Sequence, residues 1–204
     1  MNFYTEFINR DNHLGVRFPT FKIAISLLDF DKKNNFVETG TTRKNKITHP
    51  CKFDRGGDGC STILFGDYVK KYGGHVWTCD ICEENIENCK IATEHCNENI
   101  TYVIDDSINF LQNFNQKIDF LYLDSLDGHV PNCADHQLNE VMSSEDKLHV
   151  NSIILLDDIG TKTALSIPYL KSQGWIQIQL SNNPEELCQA LFVHKDNLYS
   201  YLNT

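Results

Sequence analysis

Trp175-Ile176-Gln177-Ile178-Gln179-Leu180, Ser181-Asn182-Asn183-Pro184-Glu185-Glu186 and Leu187-Cys188-Gln189-Ala190-Leu191-Phe192-Val193-His194 follow one another near the C-terminal end of the sequence. The outer two segments are short and rich in β-branched, aromatic and other apolar residues, which is the composition of strands. The six residues between them cannot hold the crossover that a parallel pair needs, so the two strands are expected to run antiparallel. Further back the pattern changes. Apolar runs expected as strands at 35–38, 75–79, 101–104, 118–123 and 152–156 are each followed by helical spacing, at 60–72, 83–96, 107–114, 133–147 and 161–173. Such alternation builds βαβ units around a parallel sheet. Five units closed by an antiparallel hairpin predict an α/β fold with a seven-stranded, mainly parallel sheet and helices on both faces. One more helix is expected over 21–30, where Phe21, Ala24, Ile25 and Leu28 share a face.

In open sheets of this kind ligands bind beyond the carboxyl ends of the strands, and the chemistry-bearing residues fall there. The first strand leads into Glu38-Thr39-Gly40-Thr41-Thr42, and Gly56-Gly57-Asp58-Gly59-Cys60-Ser61-Thr62 opens the next helix. Glycine lets backbone approach a ligand, and amides at a helix start favour an anion; the competing reading is that Ser61 or Thr62 simply caps the helix. The second strand ends in Asp80-Ile81, where a carboxylate can accept both hydroxyls of a ribose. After the third comes Asp105-Asp106-Ser107, and Asp106 there either meets an adenine amino group or caps the following helix. The fourth strand ends in Asp124, with Asp127-Gly128-His129 close behind, and the fifth in Asp157-Asp158. Three hard oxygen donors without clustered His or Cys suit an octahedral divalent ion, the competing reading being that Asp157 and Asp158 merely cap a helix at the sheet edge. His129, in the loop after the fourth strand, is a candidate base of the residue type most used for that task, the competing reading being a solvated surface histidine; Asp127 competes with it and His136 is a weaker candidate.

These motifs resemble the class I S-adenosylmethionine-dependent methyltransferases over about residues 35–194, including the final hairpin. The resemblance implies a Rossmann-like fold and a cofactor, S-adenosylmethionine, bound by Glu38, Gly40, Thr41, Thr42, Gly59, Ser61, Asp80, Ile81, Asp106 and Ser107. A narrower likeness comes from Asp119-Phe120-Leu121-Tyr122-Leu123-Asp124, Asp127-Gly128-His129 and Ile153-Ile154-Leu155-Leu156-Asp157-Asp158. These resemble metal-dependent small-molecule O-methyltransferases that act on sugars, including macrolide sugars, and on catechols. This likeness implies Mg²⁺ at Asp124, Asp157 and Asp158, with His129, Asp127 and Asp124 around the reacting hydroxyl. The expected reaction is O-methylation of a sugar or nucleotide sugar. A phenolic or catechol acceptor is the alternative, as is a catalytically silent binding domain. Residues 1–34 are expected to form an N-terminal lid and helix segment, and 35–204 the methyltransferase domain with an insertion over 41–58.

Composition narrows the partners. At 204 residues, with 41% hydrophobic and 23% charged side chains, the chain is one globular domain by the rule of roughly 150 residues per domain. A net charge of −10 repels phosphate backbones, so nucleic acid is not an expected partner. No apolar run reaches the ~18 residues that cross a bilayer, and Met1-Asn2-Phe3-Tyr4-Thr5-Glu6 has no signal-peptide character, so a cytoplasmic protein with no membrane attachment is expected. The eight cysteines are accordingly expected as free thiols. Within the insertion the charge reverses: Arg43, Lys44, Lys46, Lys52 and Arg55 face only Asp54 and Asp58. Set beside the carboxyl end of the first strand, and joined by Arg10 and Arg17, these residues are expected to clamp a phosphate on a small-molecule acceptor. A homodimer stays open.

Overall fold

Both faces of the central strands are apolar, so each strand has to be covered twice. The computed structural model, which describes residues 17–28, 34–43, 60–178 and 188–198, has this arrangement. β1 (Asn34–Thr39), β2 (Gly74–Asp80), β3 (Ile100–Ile104), β4 (Phe120–Leu123), β5 (Ile153–Asp157), β6 (Trp175–Ile178) and β7 (Gln189–His194) form one seven-stranded sheet. Its order is β3-β2-β1-β4-β5-β7-β6, parallel from β3 to β5, with β7 antiparallel to both β5 and β6. The hairpin is therefore present, and it is β7 that lies against β5, pairing Gln189 with Asp157.

The covering helices are α1 (Phe18–Ser26), α2 (Ser61–Tyr72), α3 (Glu83–Ala92), α4 (Ser107–Asn113), α5 (Cys133–Ser144) and α6 (Ser166–Ser172). Phe36, Phe120, Tyr122, Ile153 and Leu155 share one core with Phe21 and Ile25 of α1 and Leu64, Phe65 and Tyr68 of α2. Their strand neighbours Val37, Leu121, Leu123, Ile154 and Leu156 face the other way, onto Phe110 and Leu111 of α4, Val141 of α5 and Leu170 of α6. Each such side chain contributes about 1.5–3 kcal/mol when fully buried. Phe21 lies edge-on to Tyr122 with ring centroids 5.1 Å apart, so α1 is a working part of the core.

Several expected helices end elsewhere, each for a local reason. The one expected over 161–173 begins only at Ser166. Upstream, Asp158 and Gly160 both have positive φ, 57° and 134°, and the Gly160 N–H bonds to the Thr163 hydroxyl at 3.0 Å, which holds a non-helical turn. The helix expected over 83–96 yields at Thr93, whose hydroxyl donates to the Cys89 carbonyl at 2.7 Å, and a 3₁₀ helix Glu94–Asn99 follows. That over 133–147 tightens to 3₁₀ at Glu145–Lys147. The expected 21–30 helix starts earlier, at Phe18, with Pro19 in its first turn where a fixed φ is favourable. Among the described residues, no helix is long and apolar enough to cross a membrane.

Candidate functional site

The carboxyl ends of β1, β2, β4 and β5 open on the same edge of the sheet, and the polar residues gather there. β1 passes into Gly40, whose φ of 77° suits glycine. A Cβ on Gly40 would stand 2.3 Å from the carbonyl oxygen of Asp124, so only glycine lets this turn run against the end of β4. Glu38 is fully buried. Its Oε1 accepts from the Ser61 hydroxyl, and its Oε2 accepts from Thr62 at 2.6 Å and Thr78 at 2.8 Å. Thr62 in turn accepts the Thr42 N–H at 3.1 Å. Ser61 and Thr62 make no side-chain cap on α2; they tie its first turn to a carboxylate, which the helix N-terminus also favours. Glu38, Ser61 and Thr62 thus brace the turn of Gly40, Thr41 and Thr42 from beneath.

Asp80 ends β2, half-buried. Its Oδ1 accepts the Cys82 N–H at 2.8 Å; its Oδ2 accepts Asn85 Nδ2 at 3.1 Å and, weakly, the Thr41 N–H at 3.4 Å. Ile81 beside it is 73% exposed, an apolar face next to a carboxylate. Of the two readings of Asp106, the structure has the cap: its Oδ1 accepts the N–H groups of Ile108 and Asn109 at 3.0 and 3.1 Å. Ser107 is buried, and its hydroxyl lies 3.0 Å from His136 Nε2.

That contact belongs to a network the sequence reading did not find. His136 Nε2 is 3.1 Å from the Ser125 hydroxyl, which donates to Glu140 Oε1 at 2.8 Å, and the imidazole is 3.7 Å from the same carboxylate. Glu140 is fully buried and its Oε2 has no partner among the described residues. The Glu140 carboxylate holds His136 above the ordinary histidine range, against the opposing effect of burial. The spacing of His136 and Glu140, one helical turn apart, was the available signal.

Asp124, Asp157 and Asp158 do come together: one oxygen from each lies within 4.8 Å of the others. They are not alone there. Arg17, expected with Arg10 at an acceptor phosphate, is placed on Asp157, its Nε 3.0 Å from both oxygens and its Nη2 2.6 Å from Oδ2. Lys162 sends Nζ to Asp124 Oδ1 at 3.1 Å and Asp158 Oδ2 at 3.5 Å. Tyr122 donates to Asp124 Oδ2 at 3.2 Å, and Gln189 donates to the Tyr122 oxygen at 3.3 Å. Burial and the neighbouring Asp157 push the Asp124 carboxyl well above the ordinary carboxylate range, despite Lys162 and Arg17. Burial works against charge on Lys162, yet Asp124, Asp158 and Asp157 hold its ammonium above the usual lysine value. Three carboxylates converging with hard oxygen donors fit a divalent cation.

Asp127 and His129 are exposed in the turn after β4. Gly128 between them lies against Asp158, whose Cβ would be 3.5 Å from a Cβ built there, so this turn borders the carboxylates. Arg43 is exposed just beyond Thr42. Gly59, Lys44, Lys46, Lys52, Arg55 and Arg10 lie outside the described residues.

Residues 56–159 match the family described as "Methyltransferase domain", about half of the chain. No curated protein sequence matches significantly. Solved structures do. The N-methyltransferase NodS from Bradyrhizobium japonicum WM9 is similar with a TM-score of 0.53 and 10% identity, covering 86% of this chain and 96% of that one. The SAH-bound Podospora anserina methyltransferase PaMTH1 has a TM-score of 0.57 and 12% identity, covering 88% and 76%. A putative rRNA methylase from Clostridium thermocellum has a TM-score of 0.55 and 14% identity, covering 85% and 95%. At these identities the likeness is one of fold.

Proposed function

Because the chain belongs to the methyltransferase domain family, we propose that it is an S-adenosylmethionine-dependent, Mg²⁺-dependent O-methyltransferase acting on a hydroxyl of a sugar or nucleotide sugar. One observation carries this reading: the glycine turn and the acid cluster touch, since Gly40 packs onto the carbonyl of Asp124. A donor held over that turn and an oxygen held at the carboxylates are then neighbours, the proximity that in-line transfer requires.

When bound, S-adenosylmethionine supplies a methyl group on a positively charged sulfur, and a divalent ion supplies the field that acidifies a coordinated hydroxyl. The chain's own residues do the rest. Glu38 locks the first turn of α2 under the Gly40 turn through Ser61 and Thr62. The Asp80 carboxylate accepts the ribose hydroxyls, and Ile81 offers an apolar face to the adenine beside it. Asp124, Asp157 and Asp158, which converge, would hold the ion. His129 removes the hydroxyl proton, with Asp127 on the same turn as the alternative base. The basic insertion, five Lys or Arg against two Asp, suits a phosphate on the acceptor.

The test is transfer of a labelled methyl group from S-adenosylmethionine to a panel of nucleotide sugars, free sugars and catechols, with excess chelator and with Mg²⁺. Transfer to a nucleotide-sugar oxygen, lost in chelator and restored by Mg²⁺, is the expected result. Full turnover in chelator, or transfer to nitrogen, removes this reading.

A further inference from the structure

Lys162 is 1% exposed, and a lysine is kept at that depth only by partners. Its partners are two of the three clustered carboxylates, Asp124 and Asp158. The third, Asp157, is taken by Arg17 on both of its oxygens. Asp124 Oδ2 is occupied by the Tyr122 hydroxyl. The site that a hard cation would enter therefore already contains a cation, and it comes from the chain itself.

Mg²⁺ binds carboxylate oxygens at about 2.0–2.1 Å. Lys162 Nζ stands 3.1 Å from Asp124 Oδ1 and 3.5 Å from Asp158 Oδ2, so it already engages two of the three carboxylates that converge there. A dication and an ammonium would then be near neighbours, each competing for the same donors. We propose that Lys162 is the resident cation of this site, and that a divalent ion binds only by displacing it. The proposal rests on the reading of Asp124, Asp157 and Asp158 as a divalent site. Lysine suits an exchangeable occupant: a single point charge on a flexible four-carbon stem, against the fixed two-point fork by which Arg17 holds Asp157. Lys162 lies outside the regular helix, in the turn that precedes Ser166. Gly160, which opens that turn, has nothing within 4 Å of where a side chain would be, so there is room on that side. Arg17 takes one lone pair of Asp157 Oδ1 and leaves the other for the ion, so Asp157 can keep its guanidinium while Asp124 and Asp158 change partners.

Mn²⁺ is the probe. Its binding to the full chain is measured by electron paramagnetic resonance for the wild type, Lys162→Met and Lys162→Met/Asp158→Asn. Removing the competing ammonium should tighten Mn²⁺ binding at least about tenfold, and the added Asp158→Asn should take that gain away. A second measurement needs no variant: acetylation of Lys162 by acetic anhydride, which releases acetate, followed by mass spectrometry, should rise several-fold as Mg²⁺ saturates the wild type. Equal Mn²⁺ affinity in the wild type and Lys162→Met overturns the displacement and leaves the divalent site standing. Acetylation of Lys162 that stays unchanged at Mg²⁺ concentrations that displace bound Mn²⁺ from the wild type overturns it in the same way, even if Lys162→Met fails to fold. Absence of Mn²⁺ binding in both proteins overturns the displacement and the divalent site together.

Discussion

Replacing Arg17 with methionine removes the guanidinium from Asp157 while keeping a side chain of similar reach. Asp157 has a fully buried side chain, and Arg17 is only 14% exposed, so this pair is not screened as a surface pair would be. It makes contacts of 2.6–3.0 Å to both carboxylate oxygens, leaving Asp157 with no water to turn to if the arginine goes. Removal of one partner from such a buried pair costs about 3–5 kcal/mol, because the other charge is left uncompensated. For a chain of this length each kcal/mol moves the melting temperature by roughly 2–4 °C, so Arg17→Met should melt about 6–20 °C lower. Arg17 also engages other groups, and a double-mutant cycle with Asp157→Asn separates those from the pair itself. Arg17→Met/Asp157→Asn should recover much of the loss, since both charges are then absent. Thermal and urea unfolding followed by circular dichroism, in chelator so that no metal replaces the arginine, give the numbers. A loss below about 1 kcal/mol for Arg17→Met, the range of an exposed ion pair, would refute the burial argument.

Gly40→Ala should lower the melting temperature and weaken S-adenosylmethionine binding at least tenfold by calorimetry, because the added carbon would lie 2.3 Å from the Asp124 carbonyl at a φ of 77°; unchanged affinity would separate this turn from the donor site. His136→Gln tests the network on α5. Glu140 raises the imidazole above its ordinary value, as Asp106 does more weakly, while Lys162 opposes them. A raised value means that the stabilisation is complete below the unfolded histidine's value of ~6.5 and is lost as pH rises through the folded one. The stability gap between wild type and His136→Gln, read from urea unfolding, should therefore be widest near pH 5.5 and close toward pH 8.5. A gap that widens with pH overturns the assignment.

The strands were readable because each alternates between two apolar cores: Phe36 against Val37, and Ile153 against Ile154, point to opposite layers. Carboxylates just past such strands stood out as polar residues ending apolar runs, and Asp124, Asp157 and Asp158 were found that way. What the sequence hid has two causes. Arg17 and Asp157 are 140 positions apart, and no local pattern links them. Glu38 read as a ligand contact, yet the hydroxyls around it arrive from distant segments, Thr78 through parallel pairing with β2 and Ser61 and Thr62 from the first turn of α2. Lys162 was overlooked because apolar spacing suggested a continuous helix from 161, whereas two positive-φ residues upstream hold a turn that aims the lysine at Asp124. Its separation from Asp158 by four residues was a signal, though one usually seen on exposed helix faces.

The position of β7 bears on how the chain acquires its fold during synthesis. β5 is buried along its whole length, yet the strand that covers its outer edge is β7, which begins at Gln189 and is made only after β6. Until β7 emerges, β5 presents a row of unpaired amides and carbonyls flanked by Ile153, Ile154, Leu155 and Leu156, and β6 has no strand on which to dock. An uncovered apolar edge of this kind pairs readily with other chains. Nascent molecules therefore depend on a late, long-range closure, and slowing translation between β6 and β7 would lengthen the interval in which neighbouring chains on one messenger can pair by mistake.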